Sequence, residues 1–270
     1  MAAWFRPVTA AMPIEFMPGS TLNMFESTMT GITLRQLCQP QEMQMCADVQ
    51  KTVWGFSDLE VVPLRMFVVA VRTGGQVIGA FDRERAIGFA LSVAAHRNGE
   101  LYLHSHMTAM LPEYQNRGIG RQLKLAQRED ALSRGINLIE WTFDPLQLRN
   151  AHFNIARLGA IVREYLQDVY GRTSSPLHHG LPTDRLVAQW WMRDSQIEQM
   201  LSNQGLKRLA AEEQVCIPRN ILEICDQDAE KAKEVQSQVR GQFQPLFADG
   251  FGVTGFELDK QSGKYLLQRI

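Results

Sequence analysis

A short turn holds the residues best suited to bind an anion. It reads Gln115-Asn116-Arg117-Gly118-Ile119-Gly120-Arg121 and stands directly between a predicted strand and a predicted helix. Its two glycines let the backbone pass close to a ligand, and the free N–H groups of the first helical turn, together with the helix macrodipole, create a site for negative charge. A pyrophosphate fits this geometry, and Arg117, Arg121 and Lys124 offer side-chain charge for flanking phosphates.

Two other nucleotide-binding motifs use the same glycine chemistry, and the sequence departs from both. A Rossmann dinucleotide-binding turn needs a third glycine where Leu123 stands. A P-loop needs a lysine followed by serine or threonine after its last glycine, where Arg121 and Gln122 stand. An ordinary strand-to-helix turn with glycine caps remains as the alternative without a ligand.

Two histidines on the strand before the turn, His104 and His106, are candidates for proton transfer. Because they are two residues apart, both side chains project from one face of the strand. An imidazole has an ordinary pKa near 6.5, so it can accept a proton at neutral pH. Packing is the alternative role. Zinc binding is disfavoured because no third ligand is evident, although His152, His178 and His179 are present.

Periodicity and turn signals predict the elements that position these residues. They are strand 32–37, a helix opened by Pro40, helix 61–74, strands 76–82, 85–96 and 101–111, helix 118–133 and strand 137–143. Asn98-Gly99 predicts a hairpin between the third and fourth strands. The order β-α-α-β-β-β-α-β predicts a mixed α/β architecture, in which ligands bind where a strand turns into a helix.

The remaining chain predicts a second, smaller unit. A helix near 150–158 and strands near 160–165 and 185–191 complete the first unit; a polar helix through Glu213, a strand at 215–224, a charged helix at 228–247 and two terminal strands follow. We therefore predict a poorly ordered extension (1–30), an α/β domain (31–193) and a C-terminal α+β module (194–270). A second interpretation of this module is a degenerate half-repeat of the first unit.

Composition excludes several classes of protein. The 270 residues are 45% apolar, enough to bury a core, and the net charge of −1 argues against nucleic acid or an anionic membrane as partner. No run reaches the roughly 18 uncharged apolar residues of a membrane helix, and the N-terminus lacks the apolar stretch of a signal peptide. Four cysteines without CxxC spacing predict reduced thiols and a cytoplasmic location.

The glycine turn resembles the acyl-CoA-binding motif of the GNAT acetyltransferase superfamily. It has the pattern Gln-x-x-Gly-x-Gly after a strand, with Pro112-x-Tyr114 just upstream, and the element order from Ile32 to Trp191 resembles the whole GNAT fold, a mixed central sheet flanked by helices. The resemblance implies acetyl-CoA or another acyl-CoA as co-substrate and no metal. It also implies that the strand segment Thr108-Ala109-Met110 contacts the pantetheine arm.

Further residue roles follow from the same resemblance. His104 and His106 are similar to the His-x-His of arylalkylamine N-acetyltransferases, which implies His106 as the direct base and His104 as its partner in proton removal. Many GNAT enzymes carry a tyrosine general acid four residues before a helical glycine; counting back from Gly159 gives Ile155, so the general acid is in doubt. Asn150 matches an asparagine that bonds the pantetheine arm, with an N-cap as the alternative.

The resemblance implies an N-acyltransferase that moves an acyl group, acetyl in the first instance, to a primary amine of a small molecule or amino acid by direct attack. A CoA-binding sensor without turnover is the alternative. The acceptor pocket has several candidates and a homodimer is left open. The candidates are the aromatic residues Trp54, Phe56, Trp141 and Phe143 and the carboxylate anchors Arg65, Arg149 and Arg163.

Overall fold

The computed structural model describes residues 26–29, 31–171, 178–201 and 211–270. In these ranges the chain forms one mixed sheet of eleven strands, with helices packed on it. The predicted mixed α/β class is confirmed.

The N-terminal elements follow the predicted order closely. They are β1 (Glu26–Met29), β2 (Ile32–Gln36), α1 (Pro40–Trp54), α2 (Leu64–Arg72), β3 (Gln76–Asp82), β4 (Arg85–Arg97), β5 (Glu100–Met110), α3 (Ile119–Ser133) and β6 (Leu138–Phe143). Local chemistry sets several bounds. Pro40 stands at the start of α1 and Gly55 ends it in the left-handed conformation, while Asn98 and Gly99 both have positive φ in the predicted hairpin turn. β1 pairs with β2 although its residues fall inside the predicted extension.

The C-terminal elements differ from the prediction at one strand and one helix end. They are α4 (Leu148–Ala151), continued by a π-helix (His152–Arg157), β7 (Ile161–Leu166), β8 (Arg185–Trp191), α5 (Ser195–Leu201), β9 (Glu213–Pro218), α6 (Ile221–Gln227), α7 (Ala229–Ala248), β10 (Phe251–Leu258) and β11 (Ser262–Arg269). The predicted strand 215–224 is wrong beyond Pro218, because the chain turns there and Asn220 opens α6. The predicted polar helix is wrong at Glu213, which begins β9.

The sheet order is β1-β2-β3-β4-β5-β6-β8-β7-β10-β11-β9. β5 and β6 are parallel neighbours, and the other strand pairs are antiparallel. The strands of the predicted C-terminal module continue the same sheet, since β10 lies beside β7. The division into a domain and a module therefore stays a prediction, as does the half-repeat. Residues 1–25 of the predicted extension lie outside the described ranges.

Two apolar cores pack against the sheet, one along each half of the strand order. One joins α1 and α2 to β3 and β4, and Phe67 of α2 packs edge-on against Phe89 of β4 with ring centroids 5.6 Å apart. The other continues beneath β6, β7, β8, β10 and β11, where Phe243 of α7 contacts both Tyr165 and Tyr265. Within the described residues, no helix combines the length and apolar character needed to cross a membrane.

Candidate active site

β5 and β6 form a wedge that opens toward the glycine turn. Their pairing is confined to Leu103 with Ile139 and His104 with Glu140. Beyond that point β5 stays paired with β4 as far as Met110, and β6 stays paired with β8 as far as Phe143. The two strands therefore part from each other while each keeps its outer partner. Alternate main-chain groups of Thr108-Ala109-Met110 point away from β4 and into the gap.

The glycine turn stands at the open end of this wedge. The amides of residues 121 and 122 donate to the carbonyl of Gly118, whereas residues 116–120 donate no backbone amide hydrogen bond in the described part of the chain. Gly118 has a φ of 82°, which opens α3 in the left-handed conformation. Five successive N–H groups around a helix N-terminus are thus without a backbone acceptor in the described residues, which is the arrangement that an anion site requires.

The space beside the two glycines of the turn is open. A Cβ added at Gly118 or Gly120 would meet no atom within 4 Å. Gly120 also lacks a positive φ, so neither internal packing nor backbone conformation in this structure requires a glycine there. The open space beside Gly120 leaves room for a ligand close to the main chain.

Side chains around the turn hold it against the sheet. Gln115 Nε2 donates to the carbonyl of Met110 at 3.0 Å, and Tyr114 Oη donates to Asp82 at 2.7 Å. Arg117 is exposed, with its guanidinium 5.2 Å from the centre of the Tyr114 ring. Asn116 has a φ of 60° and Ile119 is buried beneath the turn. Arg117 is therefore free to reach a flanking phosphate.

Two other predicted phosphate contacts have different surroundings. Arg121 is half-buried and donates to the carbonyl of Leu201 in α5 at 3.3 Å. Lys124 is only 3% exposed, and its Nζ donates to Ser105 Oγ at 2.8 Å. The Lys124 ammonium also lies 4.1 Å from the centre of the Trp141 ring. The expectation that Lys124 contacts a phosphate does not fit this geometry, because the amine is directed under the sheet rather than toward the turn.

His104 lies on the face of β5 opposite α3. Ser105, the next residue, bonds to Lys124 and Gln127 of α3, so His104 projects from the other side, where α1 packs on β4 and β5. Ser105 pairs with Ser92 and Met107 with Leu91, so His106 has no partner on β4 and is the extra residue of a β-bulge in β5. Bulges redirect side chains and occur often beside active sites. His106 is exposed and His104 is half-buried.

The surroundings of both imidazoles lower their pKa and so favour the neutral form. Although His106 keeps contact with solvent, the protein atoms around it desolvate the ring and lower its pKa below its ordinary value. Desolvation, followed by the charge of His106, also lowers the pKa of His104, and Glu140 opposes this shift. At pH 7 both rings are therefore neutral and able to accept a proton. Within the described ranges, no group of three or more His, Cys, Asp or Glu side chains is arranged to hold a metal ion.

Glu140 is a site neighbour that the sequence did not single out. It is buried on β6 directly beside His104, and its carboxylate accepts from Arg97 at 2.5 Å and from Gln189 at 3.5 Å. The Arg97 side chain therefore compensates a carboxylate that would otherwise be costly to bury. Neighbouring residues in the sequence give no sign of this pair, because Arg97 of β4 and Glu140 of β6 meet only across β5.

The helix after β6 differs in form from the expected one. Gln147 is the N-cap of α4 and Asn150 lies inside the helix, exposed, so the N-cap alternative for Asn150 is wrong. Ile155 is buried in the π-helix, four residues before Gly159. The position where GNAT enzymes often carry a tyrosine is thus apolar core. A π-helical segment is rare and is frequently found at functional sites.

The candidates for the acceptor pocket are dispersed. Trp141 and Phe143 belong to the buried core, whereas Trp54 and Phe56 stack on each other, half-buried, at the end of α1. Arg65 and Arg149 are exposed on separate helices. A cavity of about 320 Å³ lies against β7, β8, β10 and β11, and Arg163 is among its lining residues. The described geometry selects none of these as an acceptor site.

The comparisons with known proteins agree with the motif. Residues 42–159 match the model of the acetyltransferase (GNAT) family, which confirms the resemblance for that region. No protein of curated function matches the chain in a sequence search.

Solved structures share the shape of part of this chain. The ribosomal-protein-S18-alanine N-acetyltransferase of Escherichia coli is 13% identical, with a TM-score of 0.48; the match covers 61% of this chain and 97% of that one. A GNAT acetyltransferase from Elizabethkingia anophelis, solved with acetyl-CoA bound, is 12% identical with a TM-score of 0.44, covering 61% of this chain and 100% of that one. This likeness assigns neither substrates nor site residues here.

Proposed function

We propose that this chain, whose residues 42–159 match the GNAT acetyltransferase family, is an acyl-CoA-dependent N-acyltransferase. The donor is acetyl-CoA or another acyl-CoA, and the acceptor is a primary amine of a small molecule or amino acid. The observation that carries the proposal is the row of free amides at residues 116–120, placed at the open end of the β5–β6 wedge. An anion site and a gap between strands are what a diphosphate and a thin pantetheine arm require.

Each part of the donor has a proposed contact on this chain. The diphosphate takes the amides of residues 116–120, and Arg117 adds a charge from outside. The pantetheine arm runs along Thr108-Ala109-Met110, where main-chain groups face the wedge. Gln115 supports this arrangement by tying the turn to the end of β5. Asn150 and Arg121 are proposed as further contacts from the helices on either side.

His106 is the proposed base. Its lowered pKa keeps the ring neutral at pH 7, so it can take a proton from the acceptor ammonium and leave a nucleophilic amine. His104, also neutral and backed by Glu140, is its proposed partner in passing that proton on. The amine then attacks the thioester directly, with no covalent bond to the enzyme. Positioning of the two reactants contributes up to roughly 7–11 kcal/mol, and a base adds about a hundred- to ten-thousand-fold in rate.

No general acid is proposed. Ile155 occupies the usual tyrosine position, and the Tyr165 hydroxyl is buried and donates to Asp184 at 2.6 Å. Burial raises the pKa of Tyr165 far above its ordinary value, which removes it as a proton donor to sulfur. A thiolate with an ordinary pKa near 8.5 is a good enough leaving group to depart without one.

Calorimetric titration with coenzyme A and acetyl-CoA tests the binding half of the proposal. Gly118→Asp places a negative charge among the free amides, so affinity should fall by at least about a hundredfold, the equivalent of two charge-assisted hydrogen bonds. Gly135→Asp is the matched control, because Gly135 follows the other end of α3 with a similar positive φ and equally open space. Normal affinity in the Gly118 variant contradicts the assignment of the turn.

Thiol release from acetyl-CoA, measured with a panel of amines and amino acids, tests the catalytic half. Release with one class of amine supports the transferase. Binding without release across the panel favours the sensor alternative instead. We also propose a cytoplasmic location, which is supported by the free state of all four cysteines.

A further inference from the structure

Lys124 is a buried cation whose charge is not balanced by a carboxylate. It lies on the sheet-facing side of α3 and is 3% exposed. Its polar and aromatic neighbours are the hydroxyl of Ser105 at 2.8 Å and the ring of Trp141, and burial alone lowers its pKa to about 7. In the described part of the chain it forms no ion pair with Asp or Glu. A charge in this situation is normally paired.

The hydrogen-bonding capacity of Lys124 is only partly used. An ammonium has three N–H donors, and a hydroxyl oxygen accepts one of them. The face of the Trp141 ring attracts the charge but gives no strong acceptor for the other two donors. Ser105 is also held by Gln127, so it contributes a fixed oxygen rather than an adaptable one. Two of the three donors of the charged amine therefore have no strong acceptor among the described residues.

The position of Lys124 indicates where such an anion would come from. Ser105 and Trp141 directly follow His104 and Glu140, the last pair of residues that joins β5 to β6. The lysine therefore lies beneath the vertex of the wedge. The phosphates of a coenzyme A ester are at the far end of the molecule, at the glycine turn, and its pantetheine arm is uncharged. In the bound ester, the acyl chain is the part that can bring negative charge to the vertex.

We propose that the donor is an acyl-CoA whose acyl chain ends in a carboxylate, and that this carboxylate binds the Lys124 amine at the vertex of the wedge. This inference rests on the proposed function, since it requires that the acyl end of the donor lies in the wedge. Dicarboxylic acyl groups such as succinyl have this chemistry. Lys124 is then a specificity-determining residue for the donor, in place of the phosphate contact that the sequence predicted.

Binding of three donors to the unaltered protein tests the inference. Succinyl-CoA and butyryl-CoA have acyl chains of equal length, and acetyl-CoA sets the affinity of the shared part. Calorimetry should show succinyl-CoA binding roughly tenfold to a hundredfold more tightly than butyryl-CoA, the range for a charge-assisted hydrogen bond. In Lys124→Met this preference should disappear while acetyl-CoA binds as before. Lys260→Met, on an exposed lysine, is the control and should keep the preference.

The outcomes separate this inference from the proposed function. If no coenzyme A ester binds, the proposed function fails, and the inference with it. If acetyl-CoA binds and succinyl-CoA shows no advantage over butyryl-CoA, the inference alone is overturned; this comparison decides the matter even if Lys124→Met does not fold. A succinyl preference that survives in Lys124→Met places the carboxylate elsewhere and also overturns it. So does a Lys124→Met variant that weakens free coenzyme A as much as succinyl-CoA.

Discussion

Replacing Lys124 by methionine should stabilise the unliganded protein, and most strongly at low pH. Lowering the pKa from 10.5 to about 7 means that keeping the amine charged costs the folded state about 5 kcal/mol below pH 7. Methionine fills similar volume without charge. It loses the bond to Ser105 and the attraction of the Trp141 ring, about 1 kcal/mol each. We therefore expect a net gain of about 3 kcal/mol at pH 6.

The pH dependence identifies the cause of that gain. Between pH 7 and 10.5 the unfolded lysine still binds a proton and the folded one does not, so wild-type stability rises relative to the variant by about 1.4 kcal/mol per pH unit. Urea unfolding of both proteins at pH 6, 7, 8 and 9 should show the advantage of Lys124→Met shrinking by about 3 kcal/mol. Lys260→Met should show no such trend. A difference that stays constant from pH 6 to 9, or a wild type that is the more stable at pH 6, refutes this reasoning.

Two further predictions concern the base and the C-terminal core. His106→Ala should lower turnover by about a hundred- to ten-thousand-fold. Because the pKa of His106 is lowered, the wild-type rate should be constant near pH 7 and should fall only as pH drops below about 6.5. The variant should lose this acid-side fall in rate, and His96→Ala, at an exposed histidine, should keep it. An unchanged pH–rate profile would move the base elsewhere. Arg240→Met should destabilise the fold by about 3 kcal/mol in urea unfolding, because it leaves the fully buried carboxylate of Asp184, 3.5 Å away, without its cation. A loss below about 1 kcal/mol would show that the other bonds to Asp184 suffice.

Local signals carried most of the fold prediction. Pro40, the Asn98-Gly99 turn and the glycine turn each act within a few residues, so their consequences are readable from the sequence. The strand predicted at 215–224 failed for a related reason. Its apolar residues suit a strand or a helix, and Pro218 with Asn220 decided between them.

The surroundings of the site could not be predicted in the same way. Lys124 contacts Ser105 and Trp141, which are on other elements, so neighbouring residues give no sign of its burial. One signal was available in the sequence. Lys124 and Gln127 stand next to Leu123 and Ala126, so at helical spacing they fall on the apolar face of α3, where a solvent-exposed lysine is not expected. The bulge at His106 depends on the register between β4 and β5, and a strand's own sequence does not specify that register.

The junction between β7 and β10 bears on whether copies of the chain can pair through their strand edges. These strands pair at a single position, Val162 with Val253, so most of the main-chain groups along both facing edges lack a ladder partner there. Phe243 of α7, packed on Tyr165 and Tyr265, joins the two parts through side chains instead. If α7 were loosened, two adhesive strand edges would become available at once. We therefore expect substitutions that loosen α7 to favour strand exchange between molecules.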